Sequence, residues 1–342
     1  MSTIAVNAIT DASGGNTASI NGATPTTDNL MGRNRVVNGA MEIAQRGTSA
    51  VTASQSFPVD RFKIIHSIDG ALSMQQDSSA PAGFISSAKL TTTTADTSLG
   101  TSQYVFFQQR IEGTNTADLA WGTASAKTVT LSFWVRSSLT GTFGGTLMNS
   151  GYTRSYPFSY TISAADTWEQ KTITIAGDTT GTWLTDTGIG IRLSFGLGIG
   201  STYSGTAGAW ASSELYAPTG ATSVIGTLNA TWYITGVQLE AGSVATSFER
   251  RSYGTELQLC QRYYQIGSIS CYKPTHGGST ALVSTQYLCQ TRATPTITVT
   301  ATSATLGVGW SNELITTTAV DFANSASGEQ RQRITFSVSS EM

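Results

Sequence analysis

The chain has 342 residues, 12% of them charged, and a formal net charge of −2. That balance excludes the basic stripe with which a nucleic-acid binder displaces counterions. With 35 glycines, abundant threonine and few helix-favouring charged residues, it points to strands joined by turns.

Residues 1–29 alternate weakly, through Ile4, Val6 and Ala8 or through Ala5 and Ile9, and are cut by the turn signals Ser13-Gly14-Gly15 and Asn21-Gly22. Two short strands of this kind cannot bury an apolar face alone. The segment reads either as a disordered tail or, the preferred reading, as an arm that orders by pairing with sister chains or a docking protein.

Residues 32–47 (GRNRVVNGAMEIAQRG) open the main domain, with Val36, Val37, Met41 and Ile43 as apolar positions. Arg46 is expected to satisfy loop carbonyls. In 59–65, Phe62 reads as core, and Asp60 and Arg61 as an ion pair at its rim. Strand signals follow over 72–75, 84–90 and 103–112, then a one-turn helix or loop at 117–121. In 127–136, Val129, Leu131, Phe133 and Val135 face one way and Thr128, Thr130, Ser132, Trp134 and Arg136 the other, as in a sandwich strand with one buried face. Strands over 155–162 and 167–175 come next. In 189–199, Ile189, Ile191, Leu193, Phe195, Leu197 and Ile199 alternate with Gly190, Arg192, Ser194, Gly196 and Gly198. That small, mostly neutral outer face would let a partner strand, a sister chain or a glycan come close. The loop 201–219 carries Tyr203, Trp210 and Tyr216.

Residues 231–241 alternate again, with Tyr233, Thr235, Val237 and Leu239 opposite Trp232 and Ile234, and Gly236 marks a bulge or a close backbone approach. Leu259 and Tyr263 then lie four apart, as on a short helix. Roughly eight to ten strands fall between residues 32 and 248 with sandwich-like turn spacing, and no helix-length segments alternate with them. The fold class is therefore all-β, with residues 30–250 as a sandwich and 251–265 as a short helical hinge. Residues 266–342, with short strand signals over 281–288, 297–300, 306–310 and 333–338, read as a small C-terminal β-domain. It is marginal as an independent core.

The stretch YITGVQLE-x-GSVAT-x-FE-x-R-x-YG-x-EL-x-LCQRYY (233–264) resembles the signature of phage tail-fibre and related tail structural proteins that carry a carbohydrate-binding-like jelly roll. The opening NGAMEIAQRG resembles the same family, with Ala44 where an aromatic is common. Val59-Asp60-Arg61-Phe62 and Arg292-Ala293-Thr294-Pro295-Thr296 resemble further family motifs. The resemblance covers about residues 30–265. It implies a jelly-roll sandwich, an N-terminal arm that attaches the fibre to a tail or adaptor protein, a terminal tip domain and a homotrimer in the virion tail.

A search for chemistry finds little. There is no G-x-S-x-G elbow, H-E-x-x-H or phosphate loop. His66 reads as packed. Asp166 with Glu169, and Asp178 with Asp186, are the nearest candidate pairs for glycoside cleavage, yet they sit where turn chemistry explains them. No enzyme activity is expected. Cys260, Cys271 and Cys289 lack zinc spacing and read as free thiols of a reducing cytoplasm. No cofactor is expected, although loops of such a fold can hold a structural Ca²⁺. No apolar run approaches the ~18 residues of a membrane-crossing helix, and no leader pattern is visible, so neither membrane insertion nor a cleaved signal peptide is expected.

Sugar binding asks for exposed rings beside hydroxyl-bonding groups. The candidates are Trp183, Tyr203, Trp210 and Tyr216 in the sandwich loops, and Tyr272, His276 and Trp310 in the tip. The expectation is a tail-fibre protein recognising a host-surface glycan multivalently. The alternatives are a non-binding decoration or connector protein of tail or capsid, and a polysaccharide depolymerase.

Overall fold

The two clearest alternating segments pack against each other. The structure is a computed structural model and describes residues 32–273, 281–306, 310–324 and 330–342. In chain order the first strands are β1 (Ser56–Val59), β2 (Phe62–Ser67), β3 (Ala71–Asp77), β4 (Ser87–Thr94), β5 (Tyr104–Glu112), β6 (Val129–Ser137) and β7 (Gly141–Met148). They continue with β8 (Ser155–Ile162), β9 (Glu169–Ile175), β10 (Ile189–Ile199), β11 (Ser204–Gly205), β12 (Ala217–Pro218) and β13 (Thr231–Ala241). One sheet has the order β1-β2-β5-β10-β7-β8, the other β3-β4-β13-β6-β9, and pairing within both is antiparallel. This is a jelly-roll sandwich in an all-β fold.

Between the sheets, Val129, Leu131, Phe133 and Val135 of β6 meet Ile191, Leu193, Phe195 and Leu197 of β10, all buried. Phe133 and Phe195 cross edge to face at 5.1 Å. Burial of each such side chain stabilises by about 1.5–3 kcal/mol. Trp232 sits in the same core and donates its indole N–H to the Tyr160 hydroxyl at 3.3 Å.

Gly236 bends β13. Its φ is +63°, and the register with β6 slips between Thr235 and Gln238. A Cβ there would meet the rings of Phe84 and Trp134, so only glycine fits the bulge. Residues 34–39 fill the gap this leaves. Arg35 N–H donates to Leu239 O and Val237 N–H to Gly39 O, each at 2.9 Å, and Asn34 bridges Val237 O and the Leu239 N–H. The motif's polar residues close this clasp. Glu249 accepts from the Gly32 and Asn34 N–H groups at 2.7 Å, and Glu240 takes the Thr246 N–H and hydroxyl.

The helix α1 (Tyr253–Gln261) starts at an N-capping Ser252 and buries Cys260 against Val37 and Ile43. It leads into β14 (Tyr264–Lys273), β15 (Ala281–Gln286), β16 (Thr296–Leu306), β17 (Trp310–Ile315), β18 (Ala319–Asn324) and β19 (Gln330–Ser339). These form two three-stranded sheets, β14-β19-β16 and β15-β18-β17. Their shared core is small: Val320, Phe322, Ile334, Phe336 and Val338. Ile266, Tyr272, Leu282, Leu288 and Leu314 remain exposed.

Asp60 and Arg61 do not pair with each other, contrary to expectation. They are the two central residues of the β1–β2 turn, where Val59 pairs with Phe62, and they serve different partners. Asp60 accepts from Gln45 and pairs with Arg46 at 3.4 Å, whereas Arg61 pairs with Glu341 and lies over the Tyr263 ring. Arg46 stacks on Tyr264 at 3.5 Å rather than bonding loop carbonyls. Buried Glu112 at the end of β5 accepts two bonds from Arg262, at 2.7 and 3.1 Å, and one from the Tyr263 hydroxyl at 2.8 Å. Through these contacts the C-terminal sheets are tied to the six-stranded sheet.

Candidate functional site

Period-two alternation sends half of each strand in the six-stranded sheet away from the core. On β2, β5, β10 and β7, Phe62, Ile64, Phe107, Ile111, Leu193, Phe195 and Leu147 go inward. The opposite set is Lys63 and Ile65, Tyr104, Phe106, Gln108 and Arg110, Arg192 and Ser194, and Met148. The register places Arg110 directly opposite Arg192, and Gln108 between Ser194 and Lys63. The Gln108 amide donates to Ser194 Oγ at 2.9 Å and its carbonyl accepts from Arg110 Nε at 2.9 Å. These side chains are thereby held in fixed orientation.

Arg192 is only 5% exposed. Its Nη2 donates to Ser150 O at 3.3 Å, and the Tyr152 ring covers the guanidinium at 4.2 Å. Its Nε and Nη1 are buried without a hydrogen-bond partner among the described residues. Lys63 Nζ donates to the Met342 main-chain oxygen at 3.1 Å.

An aromatic wall closes one end of this face. Tyr104, Phe106, Tyr203 and Tyr216 pack together, with Phe106 stacked on Tyr216 at 4.3 Å and the Tyr216 hydroxyl bonded to Glu214. Gly196 and Gly144 let this wall lie close, because a Cβ at either would strike Ala217 or Pro218. The glycine-rich outer face of β10 therefore receives the chain's own 216–218 segment. At the other end Glu341 is held by Arg61 and Arg46.

The strip between is positive and poorly solvated. Burial, then the nearby Arg110, lowers Lys63 to about 8, with Glu341 acting against the shift. Burial, then Arg192, lowers Arg110 to about 10. Burial also lowers Arg192. Burial, reinforced by Glu214, pushes the Tyr216 hydroxyl well up, so it stays a neutral donor.

Two of the aromatic candidates, Tyr203 and Tyr216, fall on this face, although Tyr216 is only 6% exposed. Trp183 and Trp210 instead form an edge-to-face trio with Trp121, at centroid distances of 4.7, 5.4 and 5.5 Å. Their indole N–H groups are taken by Thr180 O, Ala176 O and Lys127 O, respectively for Trp183, Trp210 and Trp121. Tyr272 is exposed on β14. Trp310 opens β17, its side chain lying outside the described residues, as does His276 altogether. Lys63, Gln108, Arg110 and Tyr152 were not among the candidates, and Arg192 stood out only as part of the outer face of 189–199. The usable signal was one arginine on each of two alternating strands, on faces otherwise neutral.

The carboxylates considered for cleavage are engaged elsewhere. Asp178 is buried yet held below the usual carboxylate range, since the bonds from Arg154 at 2.7 and 2.8 Å outweigh burial. Glu169 accepts from the Ser163 and Ala164 N–H groups and from Lys171. Asp166 pairs with Arg136 at 3.4 Å, and Asp186 accepts from the Gly188 N–H. His66 is half-buried, its Nε2 3.0 Å from Thr52 O. Among the described residues no three His, Cys, Asp or Glu side chains gather as a metal site.

No family model matches the chain, and no curated protein matches it. Solved structures with a similar fold include the enzymatically active domain of tailspike protein 4 of bacteriophage CBA120, at 12% identity and a TM-score of 0.35. The match covers 61% of this chain and 21% of that one, so the chain spans about a fifth of the tailspike structure. A Bacteroides thetaiotaomicron protein provisionally described as sugar binding matches at 12% identity and 0.35, over 61% of this chain and all of that one. A family 4 carbohydrate-binding module matches at 16% identity and 0.31, over 60% and 98%. The neighbours are carbohydrate-binding-module-like β-sandwiches, one of them a phage tailspike domain.

Proposed function

We propose that the chain is a virion tail-fibre protein that binds a host-surface glycan on the outer face of its six-stranded sheet. The observation that carries the reading is the opposed pair Arg110 and Arg192, set over a buried Gln108–Ser194 hydrogen bond. Arg110 is held by Gln108 and Arg192 by Ser150 O, and the Tyr152 ring, 37% exposed, lies over Arg192. Planar donors suit sugar hydroxyls, an exposed ring suits a pyranose face, and prior fixation lowers the entropy lost on binding. On this reading the sandwich would hold the glycan without cleaving it.

The exposed apolar side chains of the C-terminal sheets, over so small a core, suit burial between sister chains, in keeping with a homotrimer. Residues 1–29 would dock the fibre on a tail or adaptor protein. Several weak sites on one fibre would then act together.

The test is adsorption of the purified, fluorescently labelled protein to host cells, with soluble surface polysaccharide as competitor. Competed binding is expected, and deletion of residues 1–29 should spare it while abolishing incorporation into particles. A protein that enters particles but binds neither cells nor any glycan would be a connector instead. Shortened polysaccharide after incubation would mark it as a depolymerase.

A further inference from the structure

Two arginines share a buried strip with too little to neutralise them, beside a Lys63 that donates to the Met342 main-chain oxygen. Arg110 and Arg192 are a directly opposed cross-strand pair, and Lys63 lies one register step away on β2. Like charges placed opposite each other destabilise a sheet. The nearest acids are already committed, Glu341 to Arg61 and Arg46, and Glu214 to the Tyr216 hydroxyl. A water molecule could take up the free N–H groups of Arg192 but not the charge. An arginine this deeply buried ordinarily has a carboxylate to pair with, and here Nε and Nη1 make no hydrogen bond among the described residues and the neighbour against the guanidinium is the neutral Tyr152. Arg110 is only half-buried, and Nε is the one nitrogen of its side chain with a described hydrogen bond. Its outer nitrogens can therefore meet a ligand from solvent while Arg192 meets it from below. Tyr152, which screens Arg192, sits on a short turn beside Gly151.

We infer that Arg110 and Arg192, with Lys63 alongside, receive an anionic substituent, so that the glycan bound on this face is an acidic one carrying a carboxylate or a phosphate. The inference rests on the glycan-binding reading of the same face. The arginine forks would hold the anion by paired N–H···O bonds, and the Tyr152 ring would hold the sugar that carries it.

The experiment is an array of bacterial surface polysaccharides, grouped as uronate-bearing, phosphate-bearing and neutral, probed with the full chain. Titration then compares the wild type with Arg192→Gln, Arg110→Gln and the milder Arg192→Lys, each checked for folding by thermal melting. Acidic glycans of either or both groups should bind at least roughly tenfold more tightly than neutral ones. That preference should shrink with added salt, and Arg192→Gln and Arg110→Gln should each lower it roughly tenfold. Should Arg192→Gln fail to fold, Arg110→Gln decides. Equal binding of neutral and acidic glycans would overturn the inference and leave the glycan reading standing. An acidic preference that survives Arg110→Gln would place the anion site elsewhere. Binding of no glycan at all would remove both.

Discussion

Replacing Glu112 by alanine tests how the C-terminal sheets are joined to the sandwich. The Glu112 side chain is fully buried and accepts from Arg262 twice and from Tyr263 once. Burial raises its carboxyl, but the Arg262 and Tyr263 bonds outweigh this and hold it below the usual carboxylate range. In Glu112→Ala the Tyr263 hydroxyl, on a residue 2% exposed, loses its acceptor, which costs about 1–3 kcal/mol. Arg262 is 33% exposed and recovers water, so its loss is nearer ~0.5–1 kcal/mol. Together these come to about 1.5–4 kcal/mol. Urea unfolding should show it, and hydrogen exchange should show β14 and β19 opening more readily. Glu112→Gln keeps one acceptor and should lose less, about 1–2 kcal/mol. In the double variant with Tyr263→Phe the orphaned hydroxyl is gone, so the two losses should fall short of additive by about 1 kcal/mol. A Glu112→Ala loss below ~0.5 kcal/mol, or strict additivity, would refute the account of this junction.

Three other outcomes are expected. Burial pushes the Asp60 carboxyl from 3.8 to about 6, against the lowering effects of Gln45 and Arg46. The folded protein thus binds that proton more tightly than the unfolded chain. The stability this contributes is full below about pH 4 and is lost as pH rises through about 6, by roughly 3 kcal/mol. Asp60→Asn should therefore gain on the wild type between pH 4 and 7 in denaturation series, and a constant difference would contradict the assignment. Phe195→Ala, in contact with Phe133, Phe158 and Trp232, should cost about 3–5 kcal/mol and lower the melting temperature by roughly 10 °C. Gly236→Ala must take a left-handed φ and displace the Phe84 or Trp134 ring, so a loss of about 1–3 kcal/mol is expected in the same assay; an unchanged melting temperature would show that the bulge relaxes freely.

The sandwich was legible because burial in a two-layer fold is written into alternation. Val129 through Val135 and Ile191 through Leu197 announced their inward faces, and Gly236 announced a bulge, since each depends on local geometry alone. The clasp at Glu249 and the Glu112 junction were not legible in the same way. Each joins residues about 150 to 217 positions apart, and nothing in a one-dimensional pattern says which carboxylate meets which donor.

The candidate site shows the same division. Aromatic loop residues drew attention in the sequence, yet Trp183 and Trp210 pack on Trp121, and Tyr216 lies largely inside the wall it helps to build. Arg110 and Arg192 looked like ordinary outward residues on two strands 82 positions apart. The sequence determined that each would point away from the core. Only the strand order, which sets β5 beside β10 in one particular register, decided that their charges would face each other under a tyrosine ring. Alternation is a property of one strand, whereas pairing register is settled by every contact in the sheet at once.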